Sequence, residues 1–395
     1  MPTYDAIVIG GGVIGVSIAY HLARFGCPHV LLLERGQLGG GTTAQSSCII
    51  RTHYSVPENV ALAQKGLAIF RNFAAYLDDP DAAAGFNRCG LMIVASDGPR
   101  ALALRETLKV ERSLGLDARE IEPDEARRIH PLIRLDDIAA IGWEPDAGYA
   151  DAYLTLAAFA RNARRLGATL REGVPVTGRT RDAAGRVTGV TTPQGAITAG
   201  VVISAQNIWS RELAAWTGVE LPLALSRHAV FTLEASAPYT REMPVLKDLA
   251  SPAKLYMRSY GGRQLLVGDG NEGETITMPD TEQSDVSLDY VADIGAQVAH
   301  RMPVFADAGL ATSWTGVYDV TPDWNPVLGA LPGIHGLHVA YGFSGHGFKL
   351  SPIVGRLVAQ NALGLATDVS LAPYSLVRFA SGRLLAGRYG AGAVS

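Results

Sequence analysis

The sequence predicts an α/β fold joined to an α+β portion, with one mostly parallel sheet and a second, mostly antiparallel one. Three observations lead to this prediction. An apolar strand, a glycine-rich turn and an apolar helix follow one another within the first 25 residues. Strand-like patterns dominate from about residue 221 to residue 316, and a glycine-rich segment at 341–352 leads into a last apolar helix.

Composition excludes several classes of protein. The chain has 395 residues, of which 48% are apolar and 18% charged, so it can bury the cores of two domains and is not globally disordered. A net charge of −4 gives no basis for binding nucleic acid or an anionic membrane.

Cysteine usage and the N-terminal segment bear on localisation. Three widely spaced cysteines argue against a disulfide framework and suit a reducing compartment. No two histidines or cysteines have the spacing of metal ligands, so we expect no metal site. The apolar N-terminal run lacks a basic start and is interrupted by glycines, which favours a strand, turn and helix over a signal peptide or membrane span. We therefore expect a cytoplasmic protein.

The first 34 residues have the pattern of a dinucleotide-binding unit. The strand from Tyr4 to Ile9 is apolar enough to be buried on both faces, and GGGVIG follows it directly. A helix, VSIAYHLARFG, and a second strand, HVLLLE, come next. The glycine pattern alone is weak evidence, but between a strand and a helix it is the Rossmann fingerprint.

Each residue of this fingerprint has its own role. Gly10 makes the turn, Gly12 lets the backbone approach a pyrophosphate, and Gly15 lets the helix pack on the strand. The pyrophosphate lies at the helix N-terminus, where free N–H groups point outward. Glu34 accepts a hydrogen bond from a ribose hydroxyl and disfavours a 2′-phosphate, which favours FAD or NAD over NADP.

A second loop of small residues, from Leu38 to Ser55, decides between FAD and NAD. NAD does not need this loop, whereas the ribityl chain and ring of FAD need further backbone and hydroxyl contacts. We therefore predict an FAD site. The residues predicted to bind the cofactor in this half of the chain are Gly10, Gly12, Val13, Ile14, Gly15, Glu34, Arg35, Thr42, Thr43, Ser46, Ser47 and Val176.

Several motifs resemble one known family. The segments GGGVIG, LLLERG and SSCIIRTHYS, and later KLYMRSYGGRQLLVG, TGVYDVTPDWNPVLG and YGFSGHGFKLSP, are similar to those of the sarcosine oxidase and glycine oxidase family. These are FAD-dependent amine oxidoreductases with the D-amino-acid-oxidase-like fold. The resemblance implies a discontinuous FAD-binding domain, 1–85, 146–220 and 317–395, and a substrate domain, 86–145 and 221–316.

The remaining elements are predicted from local patterns. The helices are expected within 57–77, 99–130, 148–165 and 352–363, a strand at 89–96, and a hairpin leading to a buried strand within 185–206.

The resemblance also implies the activity. A secondary or N-methylated amino acid is oxidised by hydride transfer from the carbon next to nitrogen to flavin N5, giving an imine that hydrolyses. The alternative is a dehydrogenase for a D-amino acid or a proline-like substrate, which passes electrons to a quinone or a partner subunit rather than to oxygen. Some relatives work inside hetero-oligomers, so an oligomer or a partner subunit is compatible with both of these activities.

Two basic residues are the main candidates for substrate binding. Arg51 and Lys349 match the family's cations that hold the substrate carboxylate, and two cations on one carboxylate would orient the α-carbon. A flavin-binding protein without catalysis is a third hypothesis, and the presence of both cations argues against it. Lysine is disfavoured at a helix N-terminus, which indicates a functional reason for Lys349.

Further candidates come from the C-terminal half. Gly345, His346, Gly347, Phe348 and Lys349 precede an apolar helix, whose N-terminus would stabilise anionic reduced flavin near N1. Gly316 stands where monomeric sarcosine oxidases attach FAD through cysteine, so we predict noncovalent FAD. Tyr318, Tyr256 and Arg258 are candidates for the substrate cavity, with a core aromatic for Tyr318 and a solvent-facing strand position for Arg258 as alternatives.

The chain departs from the family at three places. Leu266 stands where the family has a lysine that activates oxygen, and Gly270 where it has a histidine. Loss of a buried cation would slow electron transfer to oxygen, which leaves oxygen and an electron carrier open as acceptors. Asn207 replaces a usual glycine, and asparagine is the non-glycine residue that best tolerates positive φ.

Overall fold

A computed structural model describes residues 3–96, 98–236, 243–271, 273–279 and 286–388. Its first sheet is mostly parallel and is assembled from distant parts of the chain. The described strands of this sheet are Thr3–Ile9, Val30–Leu33, Thr169–Arg171, Gly178–Arg181, Val187–Thr192, Gly195–Ser204, Val327–Ala330 and Leu337–Tyr341.

The central strand of this sheet, Thr3–Ile9, determines where a ligand can bind. It pairs in parallel with Val30–Leu33 on one side and with Gly195–Ser204 on the other. The carboxyl ends of the three strands therefore meet at one edge, which is where open α/β sheets bind ligands. Gly10 and Glu34 follow two of these strands directly.

The second sheet is mostly antiparallel and carries the middle of the chain. Among its described strands, Leu91–Ala95 and Val245–Asp248 pair in parallel. The strands of this sheet are Leu91–Ala95, Arg119–Glu120, Ala140–Glu144, Ala224–Glu234, Val245–Asp248, Tyr256–Tyr260, Gln264–Gly268, Glu274–Ile276 and Gly309–Val320. A short separate ladder pairs Ile49–Ile50 with Gly148–Tyr149.

In the described ranges the predicted α-helices are present in the same order, together with three that were not predicted: Glu212–Thr217, Leu288–Arg301 and Val377–Ala380. The described α-helices are Val13–Arg24, Pro57–Arg71, Phe73–Leu77, Pro99–Ser113, Pro123–Ile129, Ala152–Arg165, Glu212–Thr217, Leu288–Arg301, Gly347–Ala362 and Val377–Ala380. Leu288–Arg301 was not predicted, although Ser287 caps it through the Tyr290 N–H and its buried residues recur at helical spacing.

The last long helix starts earlier than predicted. The predicted start at Pro352 is wrong by five residues, because the helix begins at Gly347 and contains Pro352 in its second turn. Proline is expected at the first position of a helix, since it cannot donate a backbone hydrogen bond. Here the turn before it is buried, and this tertiary packing outweighs the missing bond.

Two long helices from opposite ends of the chain pack closely. A Cβ at Gly355 would lie 2.1 Å from the Ser17 hydroxyl oxygen, so only glycine allows this approach between Val13–Arg24 and Gly347–Ala362. The predicted fold class is confirmed by the two sheets and these helices, and the domain boundaries stay a prediction. No helix in the described ranges combines the length and apolar character needed to cross a membrane.

The helix Leu288–Arg301 is tied to the second sheet by a buried ion pair. Arg301 is 1% exposed and donates to Asp248 at 2.8 Å and to Asp137 at 2.7 and 3.0 Å. We expect Arg301→Met to lower the free energy of unfolding by about 3–5 kcal/mol, because it leaves Asp248 buried without its cation. Urea unfolding followed by circular dichroism measures this change.

The matched control is Arg127→Met, which removes an exposed ion pair with Asp124. We expect that change to stay within about 0.5 kcal/mol. Equal losses in the two variants would contradict the proposed contribution of the buried pair.

Candidate active site

An elongated cleft starts at the edge of the first sheet and ends beneath the second. It consists of three adjoining cavities. The outer cavity is lined by Gly10, Glu34, Arg35 and Val176 among others. It shares Gly12, Thr42, Thr43, Ala205 and Asn207 with the middle cavity. The middle cavity shares Ser46, Ser47, Tyr256, Tyr318, Gly345 and Phe348 with the inner one.

The outer end has the geometry that the glycine pattern predicts. A Cβ at Gly15 would lie 1.9 Å from the Gly10 carbonyl oxygen, so helix and strand could not pack with a larger residue. Glu34 accepts from the N–H groups of Gly11 at 2.6 Å and Gly36 at 2.7 Å. Its carboxylate is thereby held at the mouth of the outer cavity, in reach of a ligand that enters it.

Small residues and hydroxyls line the middle of the cleft. Thr43 accepts from the Val13 N–H at 3.1 Å, and Thr42 donates to the Asn207 side chain at 3.1 Å. Asn207 has φ of +49°, so the expected positive-φ turn is confirmed. Gly316 also lines this cavity, together with Ile14.

The turn before the last long helix closes the middle cavity. Gly345 has φ of +85°, and a Cβ there would lie 2.6 Å from the Tyr318 ring. Gly347 and Phe348, the first two residues of the helix, line the cavity as well. The free N–H groups of this helix end therefore lie near the cleft, where they favour negative charge.

Asp319 supports this turn and was missed by the sequence prediction. It is 1% exposed and accepts from the N–H groups of Gly342 at 2.5 Å and Phe343 at 3.1 Å. Burial raises the pKa of its carboxyl to about 7, although these N–H groups favour the charged form. The sequence feature that could have identified Asp319 is its position in TGVYDV, directly after Tyr318.

Positive charge is concentrated at the inner end. Arg51, Lys247 and Lys349 all line the inner cavity, and no acidic side chain is among its described lining residues. Burial, and after it the charge of Arg51, lowers the pKa of Lys349 well below its usual value and that of Lys247 to about 7. Such a cavity favours an anionic ligand, which would relieve the repulsion among these groups.

Lys247 changes one sequence-based expectation. Leu266 stands in place of the family's lysine, but Lys247 enters the inner cavity from the strand Val245–Asp248 and supplies a buried basic group there. Leu266 is buried between Thr232 and Arg258 in the sheet. A Cβ at Gly270 would lie 2.4 Å from the Lys247 Nζ, so the glycine makes room for the lysine.

Two of the three candidate strand residues contribute to the cavity wall. Tyr256 and Tyr318 line the inner cavity and hydrogen-bond to each other, and Tyr318 stacks on His228 with ring centres 4.0 Å apart. Arg258 is buried, so the solvent-facing alternative is wrong. It donates to the Ser47 carbonyl at 2.7 Å and thereby supports the wall from behind.

Two other groups near the cleft have perturbed ionisation. His346 precedes the first turn of the helix, and burial lowers the pKa of its imidazole well below the usual value, with a further contribution from Lys349. It is therefore neutral. Cys48 is buried as expected, and burial raises the pKa of its thiol to about 11, so it is not a reactive thiolate.

The chain is similar to known proteins over most of its length. The family profile described as FAD dependent oxidoreductase (DAO) matches residues 5–361. The sarcosine oxidase subunit beta of Arthrobacter sp is 28% identical over 100% of this chain and 95% of its own length. The 4-methylaminobutanoate oxidase of Paenarthrobacter nicotinovorans is 30% identical over 91% of this chain, which spans only 44% of that relative.

A solved structure shows the same fold. The L-proline dehydrogenase of P. horikoshii superimposes with a TM-score of 0.88 and 26% identity, covering 97% of this chain and 100% of the other.

The close contact at Gly345 leads to a test of cofactor retention. We expect Gly345→Ala to weaken FAD binding about tenfold or more, because the new Cβ strains a positive-φ residue and displaces the Tyr318 ring into the cleft. The ratio of flavin to protein absorbance after dialysis, and a titration of the apoprotein with FAD, measure the change.

Gly333→Ala is the matched control. Gly333 has φ of +77° and nothing within 4 Å of its Cβ position, so this variant carries the backbone strain without the contact. If both variants retained FAD as the wild type does, the turn at Gly345 would not shape the cofactor site.

Proposed function

Because the chain belongs to the family of FAD-dependent oxidoreductases, we propose that it oxidises a secondary or N-methylated amino acid at the carbon next to nitrogen. The observation that carries this proposal is the inner cavity with its three buried basic side chains, Arg51, Lys247 and Lys349, and no acidic lining residue among those described. A carboxylate on the substrate would stabilise the charged forms of these groups, which an amine without a carboxylate would not do.

The cleft suits FAD along its whole length. Gly12 and the N-terminus of the first helix would hold the pyrophosphate, Glu34 the adenosine ribose, and Thr42 and Thr43 the chain beyond it. Ser46, Ser47 and the turn at Gly345 would surround the ring. Gly316 offers no side chain for attachment, which supports noncovalent binding.

The inner cavity would orient the substrate. Arg51 and Lys349 bind the substrate carboxylate from two sides, which fixes the α-carbon toward the middle cavity. Tyr256 and Tyr318 form the opposite wall and exclude water from the reacting carbon. Bound FAD supplies the hydride acceptor, and the imine left on the substrate hydrolyses.

No strong base is required from this chain. His346 is buried and neutral, and its surroundings favour the unprotonated amine of the substrate as well, because burial and the charge of Arg51 oppose a further positive charge. The cavity therefore selects the neutral amine, which is the form that can lose a hydride.

The relatives support an N-alkyl substrate, and they are compatible with either oxygen or an electron carrier as the electron acceptor. Two of them are oxidases whose names specify sarcosine and 4-methylaminobutanoate, which favours the N-methylated class. The solved neighbour is an L-proline dehydrogenase, which favours the alternative of a proline-like substrate and an electron carrier. Lys247 favours oxygen, since a buried cation stabilises the negative charge that develops on it.

A panel of amines tests the substrate class. We expect purified yellow protein to bleach anaerobically with sarcosine, N-methylated amino acids or proline, and not with dimethylamine, which lacks the carboxylate. Stopped-flow absorbance of the flavin measures the rates. Bleaching by dimethylamine and not by carboxylated amines, or a colourless protein that releases no flavin in acid, would contradict the proposal.

Arg51 gives a sharper test of the carboxylate contact. We expect Arg51→Ala to raise KM for carboxylated amines about tenfold or more, from loss of a charge-assisted bond of roughly 1.5–3 kcal/mol. Steady-state kinetics measures KM and kcat. Arg71→Ala, at a half-exposed arginine paired with Asp146, serves as the control, and an unchanged KM in Arg51→Ala would remove Arg51 from the site.

The acceptor is tested through Lys247. Because its pKa is lowered to about 7, the side chain is charged below this pH and neutral above it. We expect the return of flavin absorbance in air to slow about tenfold as the pH rises from 6 to 8.5, and Lys247→Met to be slow throughout. An air reaction that is equally slow in both proteins, with fast reaction toward a soluble quinone, would instead establish the dehydrogenase alternative.

A further inference from the structure

Two buried carboxyl groups and a histidine lie behind the inner cavity. Glu111 is 0% exposed, Glu144 3% and His53 4%. They come from three elements: the helix Pro99–Ser113, the strand Ala140–Glu144 and the segment after Ile50. One ligand atom from each residue lies within 4.8 Å of the others. No local sequence pattern predicts this cluster, because its members are far apart in the chain.

The two carboxyl groups hold the segment that carries Arg51. Glu144 accepts from the Thr52 backbone N–H at 3.2 Å and from the Thr52 hydroxyl at 3.0 Å. A Glu111 carboxyl oxygen lies 2.8 Å from the His53 Nδ1. The two residues that follow Arg51, Thr52 and His53, are thus contacted by acidic side chains from other elements.

Arg51 is coupled to the same segment. Its guanidinium donates to the His53 carbonyl, and it lies over the Tyr54 ring at 4.6 Å. Because the guanidinium rests on this backbone, a shift of residues 52–54 would move the cation in the inner cavity. Neither Glu111 nor Glu144 is among the described residues that line the inner cavity, so their influence on a ligand there passes through Arg51.

The pair retains a proton near neutral pH. Carboxyl oxygens of Glu111 and Glu144 lie within 4.8 Å of each other, and burial raises the pKa of Glu111 to about 8 and that of Glu144 to about 7. Burial also lowers the pKa of His53 to about 4, so the imidazole is neutral. The other titratable and charged groups that face the pair are Arg51, Lys247 and the Tyr54 phenol.

We propose that Glu111 and Glu144 are positioning residues, which hold Arg51 toward a carboxylate ligand and weaken the binding of that ligand when they lose the proton they share. This inference rests on the proposed function, because it takes Arg51 to bind a carboxylate. The second negative charge would attract the guanidinium away from the cavity and repel an incoming carboxylate. The shared proton thus sets how much of the Arg51 charge is available to the ligand.

A metal ion fits the cluster less well. Both oxygens of Glu144 already accept from Thr52, and Glu111 is engaged with His53. Arg51 and Lys247 place positive charge on the cavity side, which opposes a further cation. The arrangement therefore matches a proton-bridged carboxyl pair better than a coordination site.

The test compares the wild type with Glu111→Gln, which preserves shape and removes one ionisation. The probe is (methylthio)acetate, a sarcosine isostere in which sulfur replaces nitrogen, so it binds without being oxidised. Its Kd is measured from the change in flavin absorbance between pH 6 and 9. We expect the wild-type Kd to rise about thirtyfold over this range and the Kd of the variant to rise only about threefold. The rise that remains in the variant comes from the titration of Lys247 and Lys349.

Glu106→Gln, on the same helix but paired at the surface with Lys109, is the control and should follow the wild type. The same pH dependence in wild type and Glu111→Gln would overturn the inference while leaving the proposed function intact. If the wild type bound no carboxylate at any pH, both would fail. Stoichiometric metal in the purified wild type, lost in Glu111→Gln, would also overturn it.

A second measurement covers the case in which Glu111→Gln is too unstable for titration. Carboxyl groups whose pKa is raised in the folded state contribute stability that is present below their unfolded pKa, about 4.3, and is lost as the pH rises through 7 to 8. We expect the wild-type Tm to fall relative to Glu144→Gln across this window. Parallel Tm curves would show that the pair does not retain its proton, which overturns the inference.

Discussion

Close backbone packing around the first helix is the constraint on which the site depends. Gly15 lets this helix approach the strand that carries Gly10, and Gly355 lets the last long helix approach Ser17. Larger residues at either glycine would collide with backbone or side-chain atoms. The packing places two helix N-termini, from opposite ends of the chain, along one cleft, and both ends favour negative charge there.

Basic side chains from three parts of the fold line the inner end of this cleft, so the charge there is opposite in sign to that of the expected anionic ligand. Lys247 comes from that sheet, Lys349 from the last helix and Arg51 from the segment beside the first sheet. Burial and the charge of Arg51 lower the pKa values of both lysines, so an anionic ligand would stabilise their charged forms.

The buried acids behind Arg51 balance part of this charge at a distance from the ligand. Glu144 accepts from the backbone N–H and the hydroxyl of Thr52, and Glu111 lies 2.8 Å from the His53 Nδ1. Both acids therefore contact the segment that directly follows Arg51. Asp319 has a comparable role on the other side of the cleft, where it fixes the turn before the last helix.

Sequence alone determined the local parts of this protein: the strand–turn–helix unit, the small-residue loop, the positive-φ position at Asn207 and the candidate cations Arg51 and Lys349. The strand–turn–helix unit and the loop follow from short-range rules of backbone conformation and periodicity, whereas the two cations and the turn at Asn207 were identified through the resemblance to a known family. Only the tertiary structure determined where the last long helix begins, that Lys247 lies at the site and that Glu111 and Glu144 lie close together. Each depends on strand pairing and burial between residues far apart in the chain, and local patterns carry no record of such contacts.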